Sequence, residues 1–127
     1  MIIGVGCRKG ASAAAVTAAI EAACARAGVT KDRIGGIATA AAKEHERGIA
    51  DAAAALGLPL VLVSEADLHA ASARVVTRST RVMELMGVPS VAEAAALAAG
   101  GPTASLVAAR MTVGPVTCAL ADTERAP

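Results

Sequence analysis

The chain has 127 residues and a mass of 12.4 kDa, the size of one compact domain, so we expect residues 1–127 to form a single unit. Apolar residues make up 55% of the sequence and charged residues 18%, which excludes intrinsic disorder. The net charge of +1 and the absence of Phe, Tyr and Trp argue against a nucleic-acid partner, because neither a broad basic surface nor an aromatic stacking platform is present.

No apolar run is long enough to span a membrane and no signal peptide is recognisable, so we expect no membrane partner. The three cysteines are widely spaced and form no CxxC motif. This pattern is typical of a reducing compartment, and we expect a cytoplasmic protein.

Short β-branched runs alternate with alanine-rich stretches, and 35 residues of the chain are alanine. The β-branched runs predict strands over residues 1–6, 34–40, 60–63, 104–111 and 116–121. The alanine-rich stretches predict helices over residues 13–27, 43–56, 64–73 and 90–99, and a helical turn over 81–86. This alternation predicts an α/β fold: a three-layer α/β/α domain with a mainly parallel sheet, made mixed by a C-terminal β-hairpin around Gly114 and Pro115.

The segment Gly4–Ser12, GVGCRKGAS, connects the first predicted strand to the first predicted helix. Helix N-termini attract anions through backbone N–H groups, Gly6 and Gly10 permit close backbone approach, and the neighbouring Arg8 and Lys9 add positive charge. The segment therefore predicts a site for a carboxylate or phosphate, with an ordinary βα turn and solvated cations as the alternative. Its GxGxxxG spacing differs from the dinucleotide pattern GxGxxG, and we expect no cofactor.

Cys7 lies within this segment, beside Arg8 and near a predicted helix N-terminus. Both features lower a thiol pKa, so Cys7 is a candidate nucleophile; a small loop residue without chemistry is the alternative. Cys24 and Cys118 are expected in the core.

The segment from Thr39 to Glu46, TAAAKEHE, begins at a predicted strand end and enters the second predicted helix. Open α/β sheets bind ligands at strand carboxyl ends, so Thr39 and Lys43 are expected to face the same crevice as the first loop. A solvated first helical turn is an equal alternative. No metal site is predicted, because the second histidine of the zinc motif HExxH is absent and His69 is isolated.

Two further segments carry polar residues that suit a site. The stretch from Arg74 to Arg81, RVVTRSTR, has three arginines and no acid, and predicts either a second anion-binding loop or a solvated charge run. Ser90 and Glu93 form a capping box for the helix that follows, which explains both residues without a ligand.

Five sequence features occur in a fixed order: GVGCRKGAS, ATAAAKEHERG, Ser79, GVPSVAEAAAL and VTCALA. Together they resemble the CobE family of cobalamin-biosynthesis proteins and the C-terminal domain of CbiG, over almost the whole chain. CbiG is similar to a hydrolase that opens the lactone of cobalt-precorrin-5A and releases acetaldehyde. Because 127 residues leave no room for the other CbiG domains, the resemblance implies the free-standing CobE form.

The resemblance also implies which residues bind the substrate. The matched positions are Gly6, Cys7, Arg8, Lys9, Gly10 and Ser12 in the first loop, Thr39, Lys43 and Glu46 in the second segment, and Ser79, Ser90 and Glu93 further on. The chain departs from the family pattern at Ala11 or Ser12, where threonine is frequent, and at Ala109 and Arg110, where a lysine is frequent.

Three functions follow as hypotheses. The first is a cobalamin-biosynthesis protein that binds a polycarboxylate precorrin as carrier or accessory factor, with other pathway enzymes as partners. The second is a cobalt-precorrin-5A hydrolase-like enzyme, with Glu46 or Glu93 as acid/base and Cys7 as nucleophile. The third is a small nucleotide-binding regulatory module. The first is favoured, because no residue set combines a nucleophile, a base and a group that orients the base.

Overall fold

Five strands and four helices form the described part of this computed structural model, residues 1–75 and 90–123. The strands are β1 (Ile2–Cys7), β2 (Gly36–Ala40), β3 (Leu60–Val63), β4 (Ser105–Val113) and β5 (Val116–Asp122). The helices are α1 (Ala13–Ala27), α2 (Arg47–Leu56), α3 (Glu65–Ala71) and α4 (Val91–Gly100), with 3₁₀ turns at Lys31–Arg33, Ala41–Lys43 and Ser72–Arg74. The turn predicted over 81–86 lies outside the described residues. Among the described helices, none combines the length and the apolar character needed to cross a bilayer.

The strands form one mixed sheet in the order β3-β2-β1-β5-β4. The first three are parallel: Ile3 of β1 pairs with Ile37 of β2, which pairs in turn with Leu60 of β3. β5 runs antiparallel to both β1 and β4, and Ile3 also faces Leu120 of β5. The predicted mixed sheet and C-terminal hairpin are therefore confirmed, with two parallel and two antiparallel strand pairs.

Helices cover both faces of the sheet, which confirms the three-layer prediction. On one face, Val16 and Ile20 of α1 and Ile49 of α2 pack with Ile3 and Val5 of β1 in one buried cluster. On the other face, α3 and α4 form a second cluster with the opposite sides of β2, β3 and β5. Because successive strand residues point to opposite faces, the short sheet supplies both cores.

Helix α4 lies unusually close to β1. A Cβ atom added to Gly4 would collide with the carbonyl oxygen of Ala92, so the helix backbone rests directly on the strand backbone. Six of the ten residues of α4, Val91–Gly100, are alanine. Small side chains permit this short separation, which keeps the core dense although the chain has no aromatic residue.

The carboxyl ends of β1 and β2 lie at one edge of the sheet, where α1 and α2 begin. Helix α4 also begins near this edge: a Cβ added to Gly6, near the end of β1, would lie 3.9 Å from the Cβ of Val91, the first residue of α4. Helix α2 starts at Arg47 rather than at the predicted residue 43, since residues Ala41–Lys43 form a 3₁₀ turn and Glu46 is the extended N-cap. This delayed start brings Glu46 to the first loop.

Candidate functional site

The loop after β1 forms a tight turn that presents two cations. The N–H of Ala11 donates to the Arg8 carbonyl at 3.2 Å, and Gly10 has a φ of +82°. Among the residues that the structure describes, only glycines have a positive φ, so the φ of Lys9 is negative. A negative φ at Lys9 followed by a positive φ at Gly10 defines a type II turn. Arg8, Lys9 and Gly10 are all exposed.

Hydrogen bonds attach this loop to the β4–β5 turn, to Glu46 and to α1. The N–H of Arg8 donates to the carbonyl of Pro115 in the β4–β5 turn at 2.9 Å. The N–H of Gly10 donates to Oε1 of Glu46 at 2.8 Å. The Oγ of Ser12 accepts from the N–H of Ala15 at 3.1 Å and so caps α1, as predicted.

The start of α2 packs directly against the end of the same loop. A Cβ on Gly48 would collide with the carbonyl oxygen of Ala11 and lie 3.0 Å from the carbonyl carbon of Ser12. Only glycine allows this approach without displacing backbone. The first loop and the first turn of α2 therefore form one continuous surface.

Between these two elements lies an open depression of about 430 Å³. It is lined by Lys9, Gly10, Ala11, Ser12 and Ala13 from the first loop and α1, and by His45, Glu46, Arg47, Gly48 and Asp51 from α2 and the turn before it. The structure thus brings together four residues carried over from the family pattern: Lys9, Gly10, Ser12 and Glu46. The lining mixes the cations Lys9 and Arg47 with two carboxylates.

Sequence reasoning missed His45, Arg47, Gly48 and Asp51 as lining residues. Arg47 and Asp51 are separated by four positions and so share one face of α2, a signal that was available. Gly48 gave no signal, because its contact partner lies 37 positions earlier in the chain.

Cys7 ends β1 beside this surface and is half-buried. Burial raises the pKa of its thiol, and the nearby Glu46 carboxylate adds to that effect, while the Lys43 ammonium opposes it. The expectation of a lowered thiol pKa is therefore wrong, because desolvation outweighs the favourable charge. At neutral pH the group is a thiol rather than the thiolate a nucleophile needs.

Lys43 lies at the same edge of the sheet as the first loop, as predicted from the parallel strands, and is half-buried. Thr39 does not reach this crevice. It is fully buried, and its Oγ1 donates to the carbonyl of Val5 at 2.7 Å, which links β2 to β1. The expectation that Thr39 faces the crevice is therefore wrong, because its buried hydroxyl is bonded to the backbone of β1.

Ser90 and Glu93 are fully buried at the start of α4, on the opposite face of the sheet from the depression. Ser90 caps the helix by accepting from the N–H of Glu93 at 3.4 Å, as predicted. The Oε2 of Glu93 accepts from the N–H of Arg110 at 2.8 Å, where the β4–β5 register is irregular. Glu93 therefore satisfies an amide at an interruption in strand pairing.

The arginine-rich segment is described only at its beginning, and Ser79 lies outside the described residues. Arg74 binds protein rather than solvent: its guanidinium donates to the carbonyls of Leu97, Gly101, Pro102 and Ala104 at 3.0 to 3.4 Å. This arginine closes the C-terminal end of α4, so it belongs neither to an anion-binding loop nor to a solvated charge run.

The described residues contain no group of three or more His, Cys, Asp or Glu side chains placed to hold a metal ion. The three cysteines are free.

Comparison with known families gives a match over most of the chain. The model described as "Cobalamin synthesis G C-terminus" matches residues 1–121. The chain belongs to this family. A curated relative, "Protein CobE" from Sinorhizobium sp, is 32% identical over 121 residues, which are 95% of this chain and 79% of the relative.

Several solved structures of cobalamin-biosynthesis proteins are similar to this chain. A crystal structure of CobE, from the cobalamin biosynthetic pathway, has a TM-score of 0.90 at 33% identity and covers 98% of this chain and 92% of its own. Cobalamin biosynthesis protein chiG from Agrobacterium tumefaciens has a TM-score of 0.78 at 42% identity, covering 98% of both chains. A cobalamin biosynthesis protein G homolog from Sulfolobus solfataricus has a TM-score of 0.70 at 25% identity; the match covers 97% of this chain and 36% of that longer one.

Proposed function

We propose that this protein binds a precorrin-type tetrapyrrole through the carboxylates of that ligand, as a carrier or accessory factor in cobalamin biosynthesis. Membership of a cobalamin-synthesis family supports the pathway. The observation that carries the ligand class is the exposed Arg8–Lys9 pair, held on a turn anchored to the rest of the protein at the sheet edge where α1 and α2 begin.

A precorrin suits this edge because acetate and propionate arms surround its ring. Each arm ends in a carboxylate, which forms its strongest hydrogen bonds with cationic donors such as Arg8 and Lys9. Two helix N-termini at the same edge add partial positive charge. The ligand's carboxylates lie over the exposed Arg8 and Lys9 side chains rather than deep in the depression of about 430 Å³, whose lining includes the carboxylates of Glu46 and Asp51.

Binding is better supported than hydrolysis. Of the three candidate catalytic groups, the Cys7 thiol has a raised pKa, the Glu46 carboxylate is bonded to Gly10, and the Glu93 carboxylate is buried and bonded to Arg110. Within the described part of the chain, no hydrogen bond joins the Cys7 thiol to Glu46 in a nucleophile–base arrangement. A nucleotide-binding module has the least support, because the family match is to cobalamin synthesis.

Charge reversal in the first loop tests the proposal. The double variant Arg8→Glu, Lys9→Glu is expected to bind a purified ring-contracted precorrin about 10²- to 10⁴-fold more weakly, since each lost charge-assisted contact is worth roughly 1.5–3 kcal/mol. Equilibrium titration followed by pigment absorbance measures the affinity. High salt is expected to weaken binding to the parent protein in part, because the site is exposed and therefore screened.

The matched control is Arg26→Glu, Arg33→Glu. Both residues are exposed, and they lie at the far end of α1 and before β2, at the opposite sheet edge. This control changes the net charge equally and is expected to retain tight binding. Equal affinity of the first-loop variant and the parent would refute the proposal. Acetaldehyde release that disappears in Cys7→Ala would instead establish the hydrolase.

A further inference from the structure

We infer that Glu46 is a positioning residue for the ligand-binding loop: its carboxylate selects the orientation of the Lys9–Gly10 peptide and does not contact the ligand. The inference rests on the proposed function for the identity of the ligand, but its central contact belongs to the free protein. That contact is the 2.8 Å hydrogen bond from the N–H of Gly10 to Oε1 of Glu46, which joins residues 36 positions apart.

The turn itself does not determine how this peptide points. A type I and a type II turn share the same end-to-end bond and differ by a rotation of the central peptide of roughly half a turn. With glycine third in the turn both forms are sterically allowed, because glycine adopts positive and negative φ readily. Gly10 is in the positive-φ form, at +82°, and a side chain on it would meet no atom within 4 Å. Local sterics therefore leave the choice open.

The position of Glu46 at the start of α2 fixes the orientation of the Lys9–Gly10 peptide. As the extended N-cap of α2 it makes no side-chain capping bond to its own helix, so its carboxylate is available to another element. Gly48, two positions later, lets the first turn of α2 touch the end of the same loop. The carboxylate then accepts from the N–H that only the type II form directs towards α2.

Charge also argues for an indirect role. The proposed ligand carries many carboxylates, and a second carboxylate facing them would oppose binding. By bonding to an amide of the loop, the Glu46 carboxylate instead holds the adjacent Arg8 and Lys9 side chains at a defined place. The Glu46 carboxylate thus supports an anion site through its hydrogen bond to the loop, without contacting the anion itself.

Hydrogen exchange of the Gly10 amide, measured by NMR on the free protein, tests the contact without any ligand. Glu46→Ala is expected to speed this exchange about tenfold, the loss of one charge-assisted hydrogen bond. Glu46→Gln keeps an oxygen that accepts from the same N–H, so exchange is expected to stay within a few-fold of the parent. Glu44→Ala is the matched control: it removes an exposed neighbouring carboxylate whose described contact is with His45, and the Gly10 amide should not respond.

Pigment titration then separates positioning from direct contact. Glu46→Ala is expected to bind the ring-contracted precorrin about tenfold more weakly than Glu46→Gln, which also removes a like charge from the ligand's surroundings. In the Arg8→Glu, Lys9→Glu background the two Glu46 variants should bind equally, because the residue acts through those side chains.

Two results would overturn the inference: equal Gly10 exchange in Glu46→Ala and in the parent, or equal loss of affinity in Glu46→Gln and Glu46→Ala. If the parent binds no pigment, the proposed function fails, and the exchange measurement alone still decides whether Glu46 orients the loop.

Discussion

Gly48 shows that the effect of one methyl group depends on a distant segment. Within a helix, replacing glycine by alanine usually stabilises by about 1 kcal/mol. Here the added Cβ would collide with the Ala11 carbonyl, which belongs to backbone and cannot rotate away. We therefore expect Gly48→Ala to lower the free energy of unfolding by about 2 kcal/mol, the overpacking cost exceeding the gain in helix propensity.

Urea denaturation followed by circular dichroism measures this effect. Gly35→Ala is the control, because Gly35 is exposed and an added Cβ would lie no closer than 3.7 Å to another atom, the Met1 carbonyl oxygen. A Gly48→Ala protein as stable as the parent would show that the helix and loop can separate without cost.

Single residues also mark the limit of sequence reasoning. The positions of Cys7 and Lys43 at one sheet edge follow from parallel strands, and the sequence predicts them. Whether the Cys7 thiol is desolvated depends on how the elements pack around it, and its pKa moves opposite to the prediction. Glu46 likewise looks like an ordinary first-turn acid until tertiary packing brings Gly10 within 2.8 Å.

At the scale of elements, capping residues predict helix ends well where the cap is local. Ser12, Ser64 and Ser90 each accept from an N–H three residues later, and α1 begins and ends as predicted, at Ala13 and Ala27. The start of α2 is misplaced because its cap is not local: Glu46 makes no capping bond within its own helix.

The C-terminal end of α4 provides an element-scale prediction. Arg74 donates to one carbonyl in the last turn of α4 and to three that follow the helix, and no local sequence signal connects it to them. Arg74→Ala leaves these partly buried acceptors without their charged donor, so we expect a loss of about 2–3 kcal/mol in unfolding free energy.

The control for Arg74 is Arg26→Ala, an exposed arginine in the last turn of α1. Its loss is expected to cost less than about 1 kcal/mol, the value of a charge near a helix end. Denaturation midpoints in urea measure both variants. Equal losses for the two would mean that the Arg74 contacts contribute no more than a surface charge.

The architecture of the whole molecule follows from a pattern repeated at every element. β-branched runs alternate with alanine-rich stretches, and this order predicts the layers, the sheet and the hairpin. The prediction succeeds because local residue preferences and the overall fold agree at each element. The sequence does not predict how near the layers lie. The contact of α4 with Gly4 of β1 requires both a glycine in the strand and small residues in the helix, 88 positions further along the chain.

The aromatic-free composition makes the alkaline stability of the whole molecule unusually simple to interpret. Because the chain has no tyrosine, no phenol ionisation contributes to its titration at alkaline pH. Burial raises the pKa of Cys118 from 9.0 to about 12, and the nearby Cys24 contributes to that rise. The folded protein therefore holds this proton at a pH where the unfolded chain has already released it, so stability is complete below pH 9 and is lost as pH rises towards 12.

Each pH unit in that window costs about 1.4 kcal/mol for such a group. Between pH 8 and pH 10.5 we expect the unfolding free energy of the parent to fall by about 2 kcal/mol more than that of Cys118→Ala. Urea denaturation under reducing conditions measures both values. The comparison uses the difference between two pH values within each protein, so the cavity that the alanine creates cancels. The variant retains Cys7 and Cys24, whose thiol pKa values are also raised by burial. Its unfolding free energy should therefore also fall at high pH, but with a smaller slope against pH. Parallel slopes for the two proteins would show that the Cys118 proton does not contribute to folding stability.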